Sequence, residues 1–295
     1  MKVEIFDVEH GQCAMITCPP NGKKLMIDAG HATGKWWPSI HFFGQDIEQV
    51  VVTNYDEDHT SDIVDLVKYC GVKSILRNPS IKSHHLKYMK AITGGMGKGV
   101  QWLHDWLTRI ESTPGGIPVS TDFGHVWTSP YWVDYPYFTE VNNLSVVTFI
   151  NYGQFSILFP GDIEREGWKI LLQNENFRRE VQNVNVLIAS HHGRESGCCD
   201  ELYTLTGWKP QATIISDADK EHETQETVGW YTNRTVGCKV RGGGERKVFT
   251  TRSDGNITIN VNLDSTWNIG PSGSTRKESS TNTLLGTPNF LLGGL

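Results

Sequence analysis

Apolar residues recur in this chain in two rhythms, and the switches between them mark out its elements. Val3-Glu4-Ile5-Phe6 and Ala14-Met15-Ile16-Thr17 are short strand-like pieces, followed by a Pro19-Pro20-Asn21-Gly22 turn and by Lys24-Leu25-Met26-Ile27, which together predict a β-meander. Val50-Val51-Val52 is a continuous apolar run, the pattern of a strand buried on both faces, and it stops at the polar cluster Asn54-Tyr55-Asp56-Glu57-Asp58-His59. After it, Ile63, Leu66, Val67 and Cys70 repeat at helical spacing, with Thr60 or Ser61 placed to cap the helix. A second short strand is predicted over 72–76, so strand, polar loop, helix and strand follow in the α/β rhythm.

Residues 82–112 read as two helical pieces broken by Gly94-Gly95 and Gly97, with Trp102, Trp106 and Ile110 on one face of the second. Trp127, Tyr131, Trp132, Tyr135, Tyr137 and Phe138 then crowd together. They are able to stack nucleobases, but core and lid packing is the preferred reading because aromatics bury so much area per residue. The second half repeats the earlier logic. A hairpin of strands over 144–151 and 155–159 ends at Pro160-Gly161-Asp162, and a helix is predicted over 164–173. A strand over 184–189 ends at Ser190-His191-His192-Gly193, and another over 212–215 ends at Ser216-Asp217. Buried strands thus end repeatedly in carboxylates or histidines. The expected organisation is one domain over 1–265, with an aromatic-rich helical insertion at about 80–138. A Ser/Thr/Gly-rich tail is expected over 266–295, apolar at Phe290-Leu291-Leu292.

Hydrophobic residues make up 38% and charged residues 20% of the 295, the proportions of an ordinary globular protein. The N-terminus enters a strand pattern directly, without the features of a secretory signal, and no apolar run approaches the roughly 18 residues of a membrane span, so a cytoplasmic, membrane-free protein is expected. Six cysteines without zinc-finger spacing are then reduced thiols. A net charge of −6 excludes an overall basic coat. Locally the sign reverses: Arg234, Lys239, Arg241, Arg246, Lys247 and Arg252 face the single acid Glu245, and Lys239, Arg241, Arg246 and Lys247 are candidates to track a nucleic-acid backbone. A solvated strand-loop face is the plainer account of them.

Asp56, Asp58 and His59 lie within four residues at the end of a buried strand. Hard carboxylates beside an imidazole suit Zn²⁺, Mn²⁺ or a similar divalent ion, although a solvated turn capping a helix uses the same residue types. The segment Thr53-Asn54-Tyr55-Asp56-Glu57-Asp58-His59 does not stand alone. Phe6-Asp7-Val8 with Gly11-Gln12, Asn21-Gly22-Lys23 before Leu25-Met26-Ile27-Asp28-Ala29-Gly30, and Asn143-Leu144-Ser145-Val146-Val147 form an ordered set with it. Ser156-Ile157-Leu158-Phe159-Pro160-Gly161-Asp162-Ile163-Glu164, His191-His192-Gly193 and Arg252-Ser253-Asp254-Gly255-Asn256-Ile257 continue that set. Over about residues 3–260 it resembles hydrolases of the metallo-β-lactamase fold, and most of all the metallo-hydrolase domain of ComEC-type competence proteins.

The resemblance implies an α/β (α+β) fold built as a four-layer αββα sandwich. It implies Asp58 and His59 as metal ligands, Asp162 as an aspartate able to bridge two metals, and one histidine of the His191-His192 pair as the last ligand, taken here as His191. Asp56 matches the second histidine of the family's HxHxDH motif, and Asp28 is expected to shape the adjoining loop. Asn54 departs from the pattern, because a neutral amide stands where the first histidine belongs. Either one ion is held by Asp58, His59, Asp162 and His191, or a second ion, Mn²⁺ or Mg²⁺, uses Asp56; His84, His85 and His125 are candidates for the remaining histidine. Asn54, His192 and Asp28 are retained as metal or substrate contacts.

The expected chemistry is hydrolysis by a metal-activated water, with Asp56 or Asp58 taking the proton and His222 acting as acid or substrate clamp. A helix starting near Thr60 would favour an anionic substrate. The leading expectation is a phosphodiesterase or nuclease acting on DNA or RNA. The alternatives are hydrolysis of a small ester, thioester, lactone or lactam, and a binding or regulatory module weakened by Asn54. A protein partner is a further expectation, recruited through the aromatic insertion or the tail.

Overall fold

The computed structural model describes residues 1–31, 36–113, 121–218 and 226–273. The expectations for His222 and for the tail beyond residue 273 lie outside them. Strands β1 (Lys2–Ile5), β2 (Ala14–Cys18), β3 (Lys23–Ile27), β4 (Gln49–Val51) and β5 (Ile75–Leu76) belong to a first sheet. Strands β6 (Val126–Tyr131), β7 (Val147–Tyr152), β8 (Phe155–Phe159), β9 (Val186–Ile188), β10 (Ala212–Ile215) and β11 (Val248–Thr250) form a second. Strands β12 (Asn256–Val261) and β13 (Trp267–Gly273) return to the first, giving the order β13-β12-β1-β2-β3-β4-β5 against β11-β10-β9-β8-β7-β6.

The alternation of side chains along each strand explains why two sheets need four layers. In β3, Leu25 and Ile27 enter the core between the sheets, while Met26 enters the cluster outside the first sheet. In β8 and β9, Ile157, Phe159, Val186 and Ile188 face the inter-sheet core, while Leu158 and Leu187 face outward. Strands apolar on both faces must be covered on both. Ile63, Leu66, Leu86, Met89, Leu103 and Leu107 cover the first sheet, and Trp168, Leu171, Phe177, Val181 and Leu202 cover the second. Each such fully buried side chain contributes roughly 1.5–3 kcal/mol. The result is the αββα sandwich.

The helical reading of 82–112 corresponds to helices Ser83–Ile92 and Lys98–Ser112, whose Trp102 and Trp106 pack against the outer cluster. The insertion is not helical to its end, because β6 is the edge strand of the second sheet. Nor does the tail begin at 266: β13 pairs antiparallel with β12, and Ile269 is fully buried. The Gly270-Pro271 step reads as a loop, yet an edge strand tolerates a proline. The helix expected from Thr60 begins at Ile63, after a single turn over Glu57–Thr60. All six cysteines are free. Among the described residues, no helix is long and apolar enough to cross a membrane.

Strands β8, β9, β10 and β11 run parallel. Their carboxyl ends therefore share one rim, the usual place for a site in such a sheet.

Candidate metal centre

Four side chains meet at that rim. Asp58 and His59 come from the turn after β4, Asp162 from the end of β8 and His192 from the end of β9. Asp162 is brought inward by Gly161, whose φ of +60° is left-handed and whose position would set a Cβ 2.9 Å from Thr53. His191 and His192 both adopt φ near +50°, a conformation that costs an ordinary residue roughly 1–2 kcal/mol. That strain turns consecutive side chains in directions a plain strand end would not give them.

Asp58, His59, Asp162 and His192 offer ligating atoms that all lie within 4.8 Å of one another. His59 Nε2 stands 3.1 Å from Asp162 Oδ1, and His192 Nε2 stands 3.2 Å from Asp58 Oδ2 and 3.5 Å from Asp162 Oδ1. None of these atoms is aligned for hydrogen bonding. His59 Nε2, His192 Nε2 and Asp162 Oδ1 are buried without a hydrogen-bond partner. The far side of each ring is fixed. His59 Nδ1 meets Asp28 Oδ2 at 2.8 Å, and His192 Nδ1 meets the Ser216 carbonyl at 2.9 Å. A carbonyl only accepts, so the His192 Nδ1 carries a proton, and it is Nε2 that faces the cluster and offers a lone pair whenever the ring is neutral. Asp28, fully buried, also accepts from the Thr53 N–H at 2.7 Å and the Thr53 hydroxyl at 2.5 Å. A carboxylate behind a ligating histidine in this way orients the ring and raises its basicity.

The electrostatics agree. Burial works against ionisation of Asp58 and Asp162, but His59 and His192 outweigh it and hold both carboxyls well below the usual range. Burial likewise opposes charge on His59 and His192, and the surrounding carboxylates override it and raise both. The pocket is built to stabilise positive charge at its centre. Two carboxylates and two imidazole nitrogens converge there, and three of the atoms are buried without a protein hydrogen-bond partner, a set that fits a divalent ion.

A family model described as the metallo-beta-lactamase superfamily matches residues 7–167, more than half of the chain. The chain belongs to that superfamily. The chain is also 23% identical over 241 residues to ComE operon protein 3 of Bacillus subtilis (strain 168), which covers 73% of this chain and 28% of the relative. It thus spans about a quarter of the length of the curated relative it matches. Among solved structures, a Thermotoga maritima protein described as a Zn-dependent hydrolase of the same superfamily matches with a TM-score of 0.42 at 10% identity, covering 84% of this chain and 97% of that one. A variant of the CmlA beta-hydroxylase matches with a TM-score of 0.37 at 14% identity, covering 66% and 36%. The chain is a member of the metallo-beta-lactamase superfamily with a His/Asp group able to hold a divalent metal.

Within this superfamily site the described residues bring together three of the expected ligands, Asp58, His59 and Asp162, and exchange the fourth. His192 joins the group in place of His191. His191 stands beside it, with Nε2 at 3.9 Å from Asp162 and Nδ1 held by Ser196 Oγ at 2.9 Å and Glu164 Oε1 at 3.2 Å. That contact with His191 draws the Glu164 carboxyl down from its ordinary range, against partial burial. Asp56 is outside the group, its carboxylate ion-paired to Lys90 Nζ. Asn54 is fully buried, accepting from the Tyr55 N–H at 2.5 Å and donating to Asn142 Oδ1 at 3.0 Å. None of His84, His85 and His125 replaces it: His84 meets His85 edge-on, His85 stacks on Tyr135, and His125 lies by Gly124, Trp127 and Leu263.

Lys247 directly precedes β11, Lys239 and Arg241 lie on the hairpin before it with the Arg241 N–H bonded to Ile269 of β13, and Arg246 is held bidentate by Asp254 at 2.7 and 2.8 Å, all away from the carboxyl ends where the metal group sits. The basic segment therefore does not line the site. His10 and Arg194 do, and sequence reasoning passed over both. His10 Nε2 lies 3.6 Å from Asp58 Oδ2 and accepts from Arg194 Nη2 at 3.2 Å. Burial, with the positive fields of His192 and Arg194, lowers the His10 pKa, which keeps the ring an acceptor.

Proposed function

We propose that this protein is a metal-dependent phosphodiesterase that cleaves nucleic acid, DNA or RNA. The observation that carries the reading is the cationic Arg194 at the mouth of a carboxylate-rich, metal-holding group. Two carboxylates, Asp162 buried and Asp58 half-buried, repel an anionic substrate, so a phosphodiester needs a cation at the entrance, and a guanidinium is the side chain best matched to phosphate oxygens. Arg194 is half-buried and gives its Nη2 N–H to His10, which leaves its remaining Nη donors for a phosphate at the opening. The similarity to ComE operon protein 3 supports the same reading, since it falls in the competence-type branch that the motif order resembles.

Asp58, His59, Asp162 and His192 would hold the ion, which when bound supplies Lewis-acid polarisation of the phosphoryl group and acidifies a water. Asp28 and the Ser216 carbonyl keep the two imidazoles turned inward. His10 receives one Arg194 N–H and thereby aims the guanidinium across the opening. His191, held by Glu164 and Ser196 and standing beside Asp162, is placed to exchange a proton with the reacting groups.

The test is incubation of single-stranded, double-stranded and supercoiled nucleic acid with the purified protein and Mn²⁺, Mg²⁺ or Zn²⁺. Cleavage that Asp58→Ala and Asp162→Ala abolish is expected. Hydrolysis of small esters or thioesters without nucleic-acid cleavage would replace the proposal with the small-molecule reading. Absence of any turnover despite metal binding would leave a binding module.

A further inference from the structure

Asp56 and Asn54, both outside the metal group, are consumed by the protein itself. Asn54 has both ends of its amide engaged, with the Tyr55 N–H and with Asn142. Asp56 precedes the turn Glu57–Thr60 but its carboxylate caps no backbone N–H there. It is given instead to Lys90, a lysine only 4% exposed on helix Ser83–Ile92. A lysine so deeply buried is rare unless it has a counter-charge.

We propose that this protein binds one divalent ion per chain, and that the Lys90 ammonium is a built-in cation occupying the place beside Asp56 where a second ion would otherwise be held. The charges balance in two separate sets. Asp58 and Asp162 match one divalent ion, and Asp56 matches one ammonium. A second divalent ion at Asp56 would have to expel the ammonium or sit beside it, with three positive charges against one carboxylate in a half-buried place.

Lys90 is held there by more than its own ion pair. Glu57, the neighbour of Asp56, accepts from the backbone N–H of Gly99 at 2.8 Å and of Val100 at 3.3 Å, at the start of helix Lys98–Ser112. Both inserted helices therefore clamp the metal-binding turn, one through Asp56 and the other through Glu57. The packing of Leu86 and Met89 beside Lys90 fixes the register of the first helix against the core. The role of the insertion at this point is to supply the cation and hold the turn.

The inference rests on the metal group and is independent of the substrate. Wild type, Asn54→His, Lys90→Met and the Asn54→His/Lys90→Met double variant are loaded with Zn²⁺ or Mn²⁺ and dialysed, and metal per chain is measured by elemental analysis. Calorimetric stoichiometry and circular dichroism on the same samples report binding and folding. One ion is expected in wild type and in Asn54→His, since histidine alone does not remove the ammonium, and two in the double variant. Two ions in wild type, or in Asn54→His with Lys90 intact, would overturn the proposal, as would a folded double variant that still takes one. Wild type that binds no ion would instead remove the metal group itself. If Lys90→Met does not fold, the comparison of wild type with Asn54→His still decides.

Discussion

Replacing Asp28 by Asn keeps the shape of a fully buried side chain and removes only its charge and one acceptor. Asp28 receives the Thr53 N–H, the Thr53 hydroxyl and His59 Nδ1 at 2.7, 2.5 and 2.8 Å. An amide can accept on one oxygen, so its NH₂ must face a former donor. If it faces His59, that imidazole accepts on Nδ1, carries its proton on Nε2, and cannot ligate without giving it up. Charge-assisted hydrogen bonds contribute about 1.5–3 kcal/mol each. Loss of the partner behind a ligating histidine lowers metal affinity roughly 10–100-fold, or about 1.4–2.8 kcal/mol. Titration of Zn²⁺ or Mn²⁺ into apo wild type and Asp28→Asn by calorimetry, with unfolding curves on both, measures this directly. Affinity in Asp28→Asn within twofold of wild type would refute the role assigned to Asp28.

In the metal-free protein, His59 and His192 have pKa values raised above 6.5, so their contribution to stability is complete below pH 6.5 and lost as pH rises through the raised values. Asp58 and Asp162 are depressed below 3.8, so theirs is present above pH 3.8 and lost on acidification. With chelator present, Tm is expected to be highest between those limits and to fall toward pH 9, whereas the rise in Tm on adding metal grows with pH, because binding releases the imidazole protons; thermal unfolding across pH 5–9 checks both. Gly30→Ala would place a Cβ 2.0 Å from the Asp58 carbonyl, and a loss of about 1–3 kcal/mol in denaturant unfolding is expected, together with weaker metal binding. Arg194→Ala is expected to lower kcat/KM on a phosphodiester roughly 10–100-fold, as for one charged hydrogen bond, while leaving metal content unchanged; an unchanged rate would remove Arg194 from the site.

The strands were legible because each carries its burial in its own alternation. Leu25-Met26-Ile27 and Ile157-Leu158-Phe159 are apolar at every position, which already requires cover on both faces. Asp58, His59 and Asp162 were legible through the ordered motif set and the resemblance it carries, because their residue types at a strand end suit a capped turn equally well. The choice between His191 and His192 was not. Both lie at the same strand end, and the left-handed backbone of each, which decides where each ring points, leaves no mark in residue type. His10 and Lys90 were missed for a different reason. Lys90 is far from the motifs in sequence and His10 falls between two of them without belonging to either, so only the packing of the helix or loop brings each to its place. The adjacency of His10 to Gly11-Gln12, already part of the ordered motif set, was the signal available. For Lys90 there was none beyond a lysine following the apolar pair Leu86 and Met89. The strand β13 was hidden by its Gly-Pro step, which an edge position accommodates.

Asp58, His59, Asp162 and His192 are placed to hold a divalent ion, with His191 beside them. Metal content of His192→Gln and His191→Gln, measured side by side after loading and dialysis, tests it most directly. His192→Gln should lose the ion and His191→Gln should keep it; retention in His192→Gln with loss in His191→Gln would contradict the account.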